Sequence, residues 1–565
     1  MLPVSPRQTR SMLTRDGVRL DADVYCPDVA GDFPVLLMRQ PYGRAIASTV
    51  VYAHPSWYAA HGYIVVIQDV RGRGSSAGEF ALFAHEVEDG YDTLTWAASL
   101  PHSTGQVGMY GFSYQGMTQL YAAMAQPTAL KALCPAMVGY DLYQDWAYEG
   151  GAFCLQTNLG WAIQLAAETA RRQNNPIAYQ KLYAAARNLP LYDSTPTCPE
   201  ILKTLAPNSF YHQWLKHPEP DPYWQRLSPQ LNTVDLPMLH IGGWFDTYLR
   251  GTIRLYKDLA SQSTCPQQLW VGPWAHLPWG RQVGAVNYGP AAASPIDHLQ
   301  IRWFDHFLKG MDTGLLSAAP IALFELGSNQ WRTFETWPQG ELDSYFLSST
   351  GLATISEGEG KLIKQPTEFS SAIDTLVHDP WRPVPSIGGH ASLPAGSFDR
   401  AGIDCRSDVI TYTTDPLTAA MHLAGEITVQ IDCSADAPSF DLCAVLSDVH
   451  PEGRVYNLTQ GYLRIDTKAD VEMAIGQKQI LHSPTDLDRP IQSVAIALQP
   501  ICAQISSGHT LRLSISAACF PAYAVNPGTG LPPSQNALID AKIITLTIYS
   551  GGDHRSQILL PRASF

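Results

Sequence analysis

Ser113 stands in the run Gly111-Phe112-Ser113-Tyr114-Gln115-Gly116. An apolar segment, Val107–Tyr110, precedes it, and a stretch of helical composition, Tyr114–Ala125, follows. A serine on a tight, glycine-flanked turn from strand to helix has its Oγ exposed above the sheet. The next N–H, here that of Tyr114, opens the helix and can face a developing oxyanion. The chemistry this suggests is nucleophilic attack on a carbonyl. The run departs from G-x-S-x-G, because Gln115 holds the second glycine position and Gly116 comes one residue later. The bland reading of the same serine is a helix N-cap.

A hydroxyl needs a base to take its proton and a third group to orient that base. In α/β hydrolases the chain order is Ser, acid, His. Asp246, in Ile241-Gly-Gly-Trp-Phe-Asp246, closes one strand-like run, and His276, in Val271-Gly-Pro-Trp-Ala-His276, closes the next. The long gap after Ser113 leaves room for an inserted cap, and the shorter one before His276 fits a helix and a strand. Among 17 histidines, position singles out His276; His240 is a rival but sits inside a predicted strand. Tyr42, in Arg39-Gln-Pro-Tyr42-Gly43, follows an early strand and offers a phenol O–H as a second oxyanion donor. Otherwise it is a tyrosine in a Pro-Gly turn. The glycine-rich run Asp69–Gly78 is neither G-x-G-x-x-G leading into a helix nor a Walker A with its lysine. It reads as a structural turn, with Asp69 and Arg71 paired beneath the site.

These residues need elements to hold them. Over 1–140, strand-like runs (Pro34–Arg39, Tyr63–Asp69, Val107–Gly111) alternate with helical stretches such as His85–Leu100, the pattern of a parallel α/β sheet. Residues 141–230 are aromatic and largely helical, including Gly160–Asn174. The α/β texture returns over 231–314, with strands at Pro237–Gly242 and Gln268–Gly272 and a helix at Gln300–Gly310. The middle region therefore reads as an insertion into one α/β domain. From 315 to 565, short alternating segments such as Glu426–Ile431, Thr510–Ser516 and Lys542–Ile548 predict an all-β sandwich or jelly roll.

The chain has 565 residues, 45% of them hydrophobic and 16% charged, as in a globular protein with large cores. Its formal net charge of −14 argues against nucleic acid and anionic membranes as partners. No run reaches the ~18 apolar residues of a membrane helix, and the N-terminus does not read as a signal peptide. None of the ten cysteines forms a C-x-x-C pair, which argues against a zinc site or a thioredoxin-like motif. A cytoplasmic protein with reduced cysteines is expected.

The stretches RQPYGR, VVIQDVRGRGSSAGEF, VGMYGFSYQGMTQ, GGWFD and VGPWAH resemble the X-Pro dipeptidyl-peptidase and cocaine-esterase (CocE/NonD) family of serine hydrolases, as do DVHPEGR and FPAYAVNPGTG near the C-terminus. The resemblance runs from about residue 15 to the end. It implies an α/β-hydrolase domain with an inserted helical cap and a C-terminal jelly-roll domain. By the same resemblance G-x-S-Y-x-G is the family's own elbow, Ser113 is the nucleophile, Asp246 the acid and His276 the base. Tyr42 and the amide of Tyr114 form the oxyanion hole, and Trp146, Trp161 and Tyr248 line the acyl pocket. Thr247, Tyr248 and Leu249 follow Asp246, where α-amino acid ester hydrolases carry carboxylates, so an amino-ester substrate is disfavoured. Glu149 or Asp145 could hold the free N-terminus an X-prolyl peptidase requires; solvated cap charges are the blander reading. The expectation is a hydrolase of carboxylic esters, and of activated amides, acting on small molecules with no metal or organic cofactor. The alternatives are an X-prolyl dipeptidyl aminopeptidase and an acyltransferase using the same triad; a non-catalytic binding protein is argued against by the intact triad. A homo-oligomer stays open.

Overall fold

Apolar runs without alternation need cover on both faces, which a parallel sheet between helices provides. The computed structural model describes residues 1–45, 49–366, 371–466 and 490–564. Its first sheet takes β1 (Gln8–Leu13), β2 (Arg19–Tyr25), β3 (Phe33–Gln40), β4 (Ile64–Asp69), β5 (Ser103–Phe112) and β6 (Leu130–Ala136). The chain then leaves, forms a small hairpin from β7 (Tyr148–Glu149) and β8 (Ala152–Phe153), and returns as β9 (Met238–Phe245) and β10 (Gln267–Ala275). A second small hairpin, β11 (Gln282–Val283) with β12 (Val286–Asn287), precedes β13 (Ile321–Glu325) and β14 (Gln330–Phe334). The order is β1-β2-β4-β3-β5-β6-β9-β10-β13-β14. Every neighbouring pair from β4 to β13 is parallel, and antiparallel pairs finish both edges.

Three helices connect the early strands and their surroundings: α1 (Pro55–Ala60), α2 (Glu86–Ala98) and α3 (Tyr114–Met124). Between β6 and β9 lies the helical insertion, with α4 (Leu155–Arg172), α5 (Pro176–Arg187), α6 (Glu200–Leu205), α7 (Phe210–Lys216) and α8 (Pro222–Leu227). Asn175 and Asp221 cap α5 and α8 through their side chains, each with proline at the first helical position. Then come α9 (Leu249–Gln262) and α10 (Ile296–Lys309). Successive strand residues point to opposite faces. Val35, Leu37 and Val66 share a core with Leu94 of α2 and Leu120 of α3. Leu36, Met38, Val65 and Ile67 share another with Tyr58 of α1 and Phe304 of α10.

The parallel arrangement has one consequence for chemistry. Ser113, Asp246 and His276 are the residues that follow β5, β9 and β10. Parallel strands end on one side of the sheet, so three residues distant in sequence lie along one edge of it.

The second domain is all-β. Its strands are β15 (Glu341–Ser348), β16 (Lys361–Ile363), β17 (Ala372–His378), β18 (Val409–Thr413), β19 (Met421–Ala435), β20 (Ser439–Val449), β21 (Val455–Asp466), β22 (Gln492–Ile505), β23 (Thr510–Ser516), β24 (Ile544–Ser550) and β25 (Gln557–Arg562). They form one eleven-stranded sheet in which, of the neighbouring pairs, only β16 with β18 is parallel. This is the expected α/β hydrolase with a helical cap and a C-terminal jelly-roll domain. The expected border at 314/315 differs from the sheet border, however, because β13 and β14 complete the first sheet before the chain enters the second at β15. The two domains share a core: Ile253 of α9, Val271 of β10 and Leu323 of β13 pack in one cluster with Ile427, Leu442 and Leu513. All ten cysteines are free thiols, and no helix among the described residues is long and apolar enough to cross a membrane.

His240 lies buried in β9, with Nε2 bonded to Gln267 Oε1 at 2.9 Å. Burial holds its pKa down at about 4. The unfolded chain takes up a proton near 6.5 that the folded chain refuses until about 4, so stability is lost as pH falls through that window. Urea unfolding at pH 7 and pH 5 is expected to show His240→Asn losing less stability between the two than wild type, by about 2 kcal/mol.

Candidate active site

The turn after β5 carries backbone strain. Ser113 has φ +59° and ψ −128°, which a residue with a Cβ rarely adopts. Its N–H bonds Ala136 O at 2.9 Å, and its carbonyl accepts from Met117 N at 2.9 Å. Two glycines make the turn feasible. A Cβ on Gly111 would lie 2.5 Å from Gln115 Cβ, and one on Gly116 would lie 2.4 Å from Val138 Cγ1 and 3.0 Å from Ala136 O. Close approach of helix to strand therefore falls at 116. Gln115 is buried with Oε1 accepting from Phe112 N at 3.3 Å, so the side chain braces the turn it departs from. Gln119 adds a second brace, bonding Gly111 O at 3.1 Å and both backbone groups of Cys134.

Asp246 is fully buried and its Oδ1 sits 2.8 Å from His276 Nδ1. The His276 ring lies against Phe112 (centroids 5.4 Å) and edge-on to Tyr248 (5.0 Å). Its carbonyl accepts from Trp279 Nε1 at 3.2 Å. The Tyr42 hydroxyl is hydrogen-bonded to Ser113 and accepts from Trp161 Nε1 at 3.1 Å. Desolvation pushes the Tyr42 phenol up to about 12, so it stays a neutral donor. The Tyr114 side chain points away, donating to Glu86 at 2.7 Å and stacking on Phe83. Its backbone N–H occupies the first position of α3, where no intrahelical acceptor exists.

The three expected pocket aromatics are together. Trp146 packs on Tyr248 (4.4 Å) and on Trp161 (5.2 Å). Contacts thus run without a break from Ser113 through Tyr42, Trp161, Trp146, Tyr248 and His276 to Asp246. Sequence reading missed Phe112, Trp279 and Phe83, which pack around this ring, and Gln499. Gln499, on β22 of the second domain, donates from Nε2 to Asp246 O at 3.0 Å and to Trp244 O at 3.2 Å. No local signal marks it, since the contact exists only once the domains dock.

Two expectations are corrected. Asp69 and Arg71 do not pair with each other. Asp69 pairs with Arg44 at 2.5 Å, while Arg71 bridges Asp16 (2.7 Å) and Asp89 (2.6 Å). Gly74 is required there, as a Cβ would fall on the Asp69 carboxylate. The cap carboxylates Glu149 and Asp145 are not solvated either; both are buried. Glu149 meets Arg250 at 2.8 Å and His390 at 2.9 Å and accepts from Tyr523. Burial works to raise its carboxyl, but Arg250 and His390 outweigh it and hold it at about 2. Burial pushes Asp145 up to about 6 against the pull of Arg254, 3.2 Å away.

The fold and this edge define a serine hydrolase of the α/β-hydrolase class. Residues 16–278 match the X-Pro dipeptidyl-peptidase (S15 family) model, and residues 314–559 match the X-Pro dipeptidyl-peptidase C-terminal non-catalytic domain. The chain is 31% identical to a cocaine esterase of Rhodococcus sp. (strain MB1 Bresler) over 97% of its own length and 96% of the relative's. It belongs to that family. An aminopeptidase from a marine sediment Thaumarchaeota archaeon shares its fold (TM-score 0.81, 22% identity, 100% of this chain and 97% of the other). So does a CocE/NonD family hydrolase from Staphylococcus aureus (TM-score 0.69, 18% identity, 100% and 97%).

Helix propensity alone makes Gly116→Ala stabilising by about 1 kcal/mol. The backbone oxygen of Ala136 cannot retreat as a flexible side chain would, so overpacking is expected to win, with a net loss of about 1–3 kcal/mol read from denaturant unfolding.

Proposed function

We propose that the protein hydrolyses carboxylic esters of small molecules through an acyl-Ser113 intermediate. What supports this reading is that Ser113, Asp246 and His276 each directly follow a parallel strand, β5, β9 and β10, with Asp246 2.8 Å from His276 and Tyr42 bonded to Ser113. His276 takes the Oγ proton as Ser113 attacks the carbonyl. Asp246 holds the imidazole by Nδ1 and stabilises its charged form. The Tyr42 O–H and the Tyr114 N–H receive the oxyanion, each worth about 3–4 kcal/mol in such a site. His276 then returns the proton to the leaving alcohol. Water, activated by the same imidazole, releases the acid. No metal or organic cofactor enters these steps.

Trp146, Trp161 and Tyr248 form the wall against which the acyl group packs, which favours an apolar or aromatic acyl part. The matched relative's name as an esterase supports the ester reading. The match to the X-Pro dipeptidyl-peptidase model favours a second one, cleavage after an N-terminal X-Pro pair. That reaction needs an anion free to receive an ammonium, and Glu149 and Asp145 are already engaged with Arg250 and Arg254. Ten free thiols support a cytoplasmic location. Neither nucleic acid nor a membrane is required as a partner.

The test is initial rates on short-chain and aromatic p-nitrophenyl esters and on an Ala-Pro p-nitroanilide. Ser113→Ala is expected to lose ester turnover by at least about 10³-fold. Tyr42→Phe is expected to lose about 10²–10³ in kcat with KM little changed. Fast anilide cleavage, abolished by N-acetylation, would move the assignment to the peptidase.

Gln499→Leu is expected to lower kcat about tenfold or more while KM holds, because two buried carbonyls lose their donor and the Asp246 turn loosens. An equal change in kcat and thermal stability across all substrates, with an unaltered pH–rate profile, would reduce Gln499 to a structural residue.

A further inference from the structure

We propose that the β20–β21 hairpin end of the all-β domain is a site for a borderline divalent metal, zinc above all, held by Asp448, His450 and His509. The backbone brings the three together. In the antiparallel pair of β20 and β23, Asp448 lies opposite Leu511 and Val449 opposite Thr510. One step further, His450 comes opposite His509. Directly opposed residues share a face, as do residues two apart on a strand, so all three side chains project on the same side. The turn that follows is fixed by His450 N–H to Arg454 O at 2.9 Å and Gly453 N–H to His450 O at 2.8 Å, with Gly453 at φ +91°.

The side chains converge on one carboxylate. His509 Nδ1 is 2.8 Å from Asp448 Oδ1, and His450 Nε2 is 3.4 Å from Asp448 Oδ2. The two rings lie 4.4 Å apart, and one ligand atom from each residue falls within 4.8 Å of the others. Bonds of about 2.0–2.2 Å at tetrahedral angles place ligand atoms about 3.4 Å apart, so the cluster needs shifts of only tenths of an ångström to one about 1 Å to close on an ion. On its outer side His450 Nδ1 faces Glu452 Oε1 at 3.4 Å, the carboxylate–histidine relay that orients metal-bound imidazoles. All three residues are partly exposed, which leaves room for water or a further ligand. Arg454, the nearby cation of the turn, donates to Tyr456 OH at 3.2 Å, and the Tyr456 ring packs on His450.

Two imidazoles and one carboxylate suit zinc, cobalt, nickel or copper, and not the all-oxygen preference of calcium or magnesium. The absence of C-x-x-C pairs says nothing against such a site, which uses no cysteine. An ion here would tie β23 to β20 and its hairpin.

The test uses the full chain stripped by chelation and titrated with Zn²⁺ by calorimetry, with Co²⁺ by visible absorption, and with Ca²⁺ as control. One Zn²⁺ per chain, visible Co²⁺ ligand-field bands and no Ca²⁺ uptake are expected, together with a rise in Tm on Zn²⁺ addition. His509→Asn and Asp448→Asn should each weaken Zn²⁺ binding about tenfold or more, and Glu452→Gln by a smaller factor. Near-UV circular dichroism of each variant matching wild type shows that folding is intact. The proposal is overturned if wild type takes up no stoichiometric Zn²⁺, or if a His450→Asn, His509→Asn double variant binds as wild type does.

Discussion

Ser113 is held at a positive φ, and much of the hydrolase domain is arranged to keep it there. Such a conformation costs of order 1–3 kcal/mol and persists only where surrounding contacts over-determine it. The contacts are specific. Gly111 and Gly116 remove the Cβ atoms that would collide, Gln115 folds back on the strand, and Gln119 bonds both β5 and β6. The strain lifts Oγ toward the Tyr42 hydroxyl and leaves the Tyr114 N–H without a helical acceptor. Ser113 nonetheless stays buried, so the strained turn presents it to the Tyr42 hydroxyl and not to open solvent.

The other half of the site depends on the second domain. The carbonyl of Asp246 is held by Gln499 on β22. The cap hairpin is pinned in the same way: Arg464 N–H donates to Gly150 O at 2.7 Å, and a Cβ on Gly150 would fall 2.0 Å from Tyr462 O. Glu149, at the same hairpin, ends between Arg250, His390 and Tyr523. With α9 and β13 sharing a core with the β-sheet, neither the acid turn nor the cap hairpin is complete in the first domain alone. A domain matched as non-catalytic thus holds the turn that carries Asp246.

The parts legible in sequence are those set by local pattern. Unbroken apolar runs located β3, β4, β9 and β10, and Thr510–Ser516 matches β23 residue for residue. The elbow, the two later strand ends and the chain order of Ser, Asp and His follow from spacing. Pattern fails where partners are chosen by tertiary contact. Asp69 finds Arg44 across a turn in place of Arg71 two residues on, because Arg71 is already claimed by Asp16 and Asp89. Which sheet receives β13 and β14 is not legible either: β13 is a short strand that joins β10 in parallel, and β14 follows it antiparallel. Strand β19 runs from Met421 to Ala435, well beyond Glu426–Ile431, since the register shift after Gly425 breaks the alternation. Gln499 and Trp279 carry no local signal at all.

The distribution of charge bears on which substrates the site can accept. The cap carboxylates Glu149 and Asp145 are buried beside their own arginines, Glu149 with Arg250 and Asp145 with Arg254. Drawing Glu149 onto a substrate ammonium would leave the Arg250 guanidinium buried without its main partner. Breaking a buried ion pair in that way costs about 3–5 kcal/mol, more than a substrate's own ion pair in a partly wet site returns. The aromatic wall, by contrast, offers apolar surface whose burial is favourable for any neutral acyl group that fits. On the ester reading proposed above, the arginines beside Glu149 and Asp145 are what favour a neutral acyl group over a cationic one.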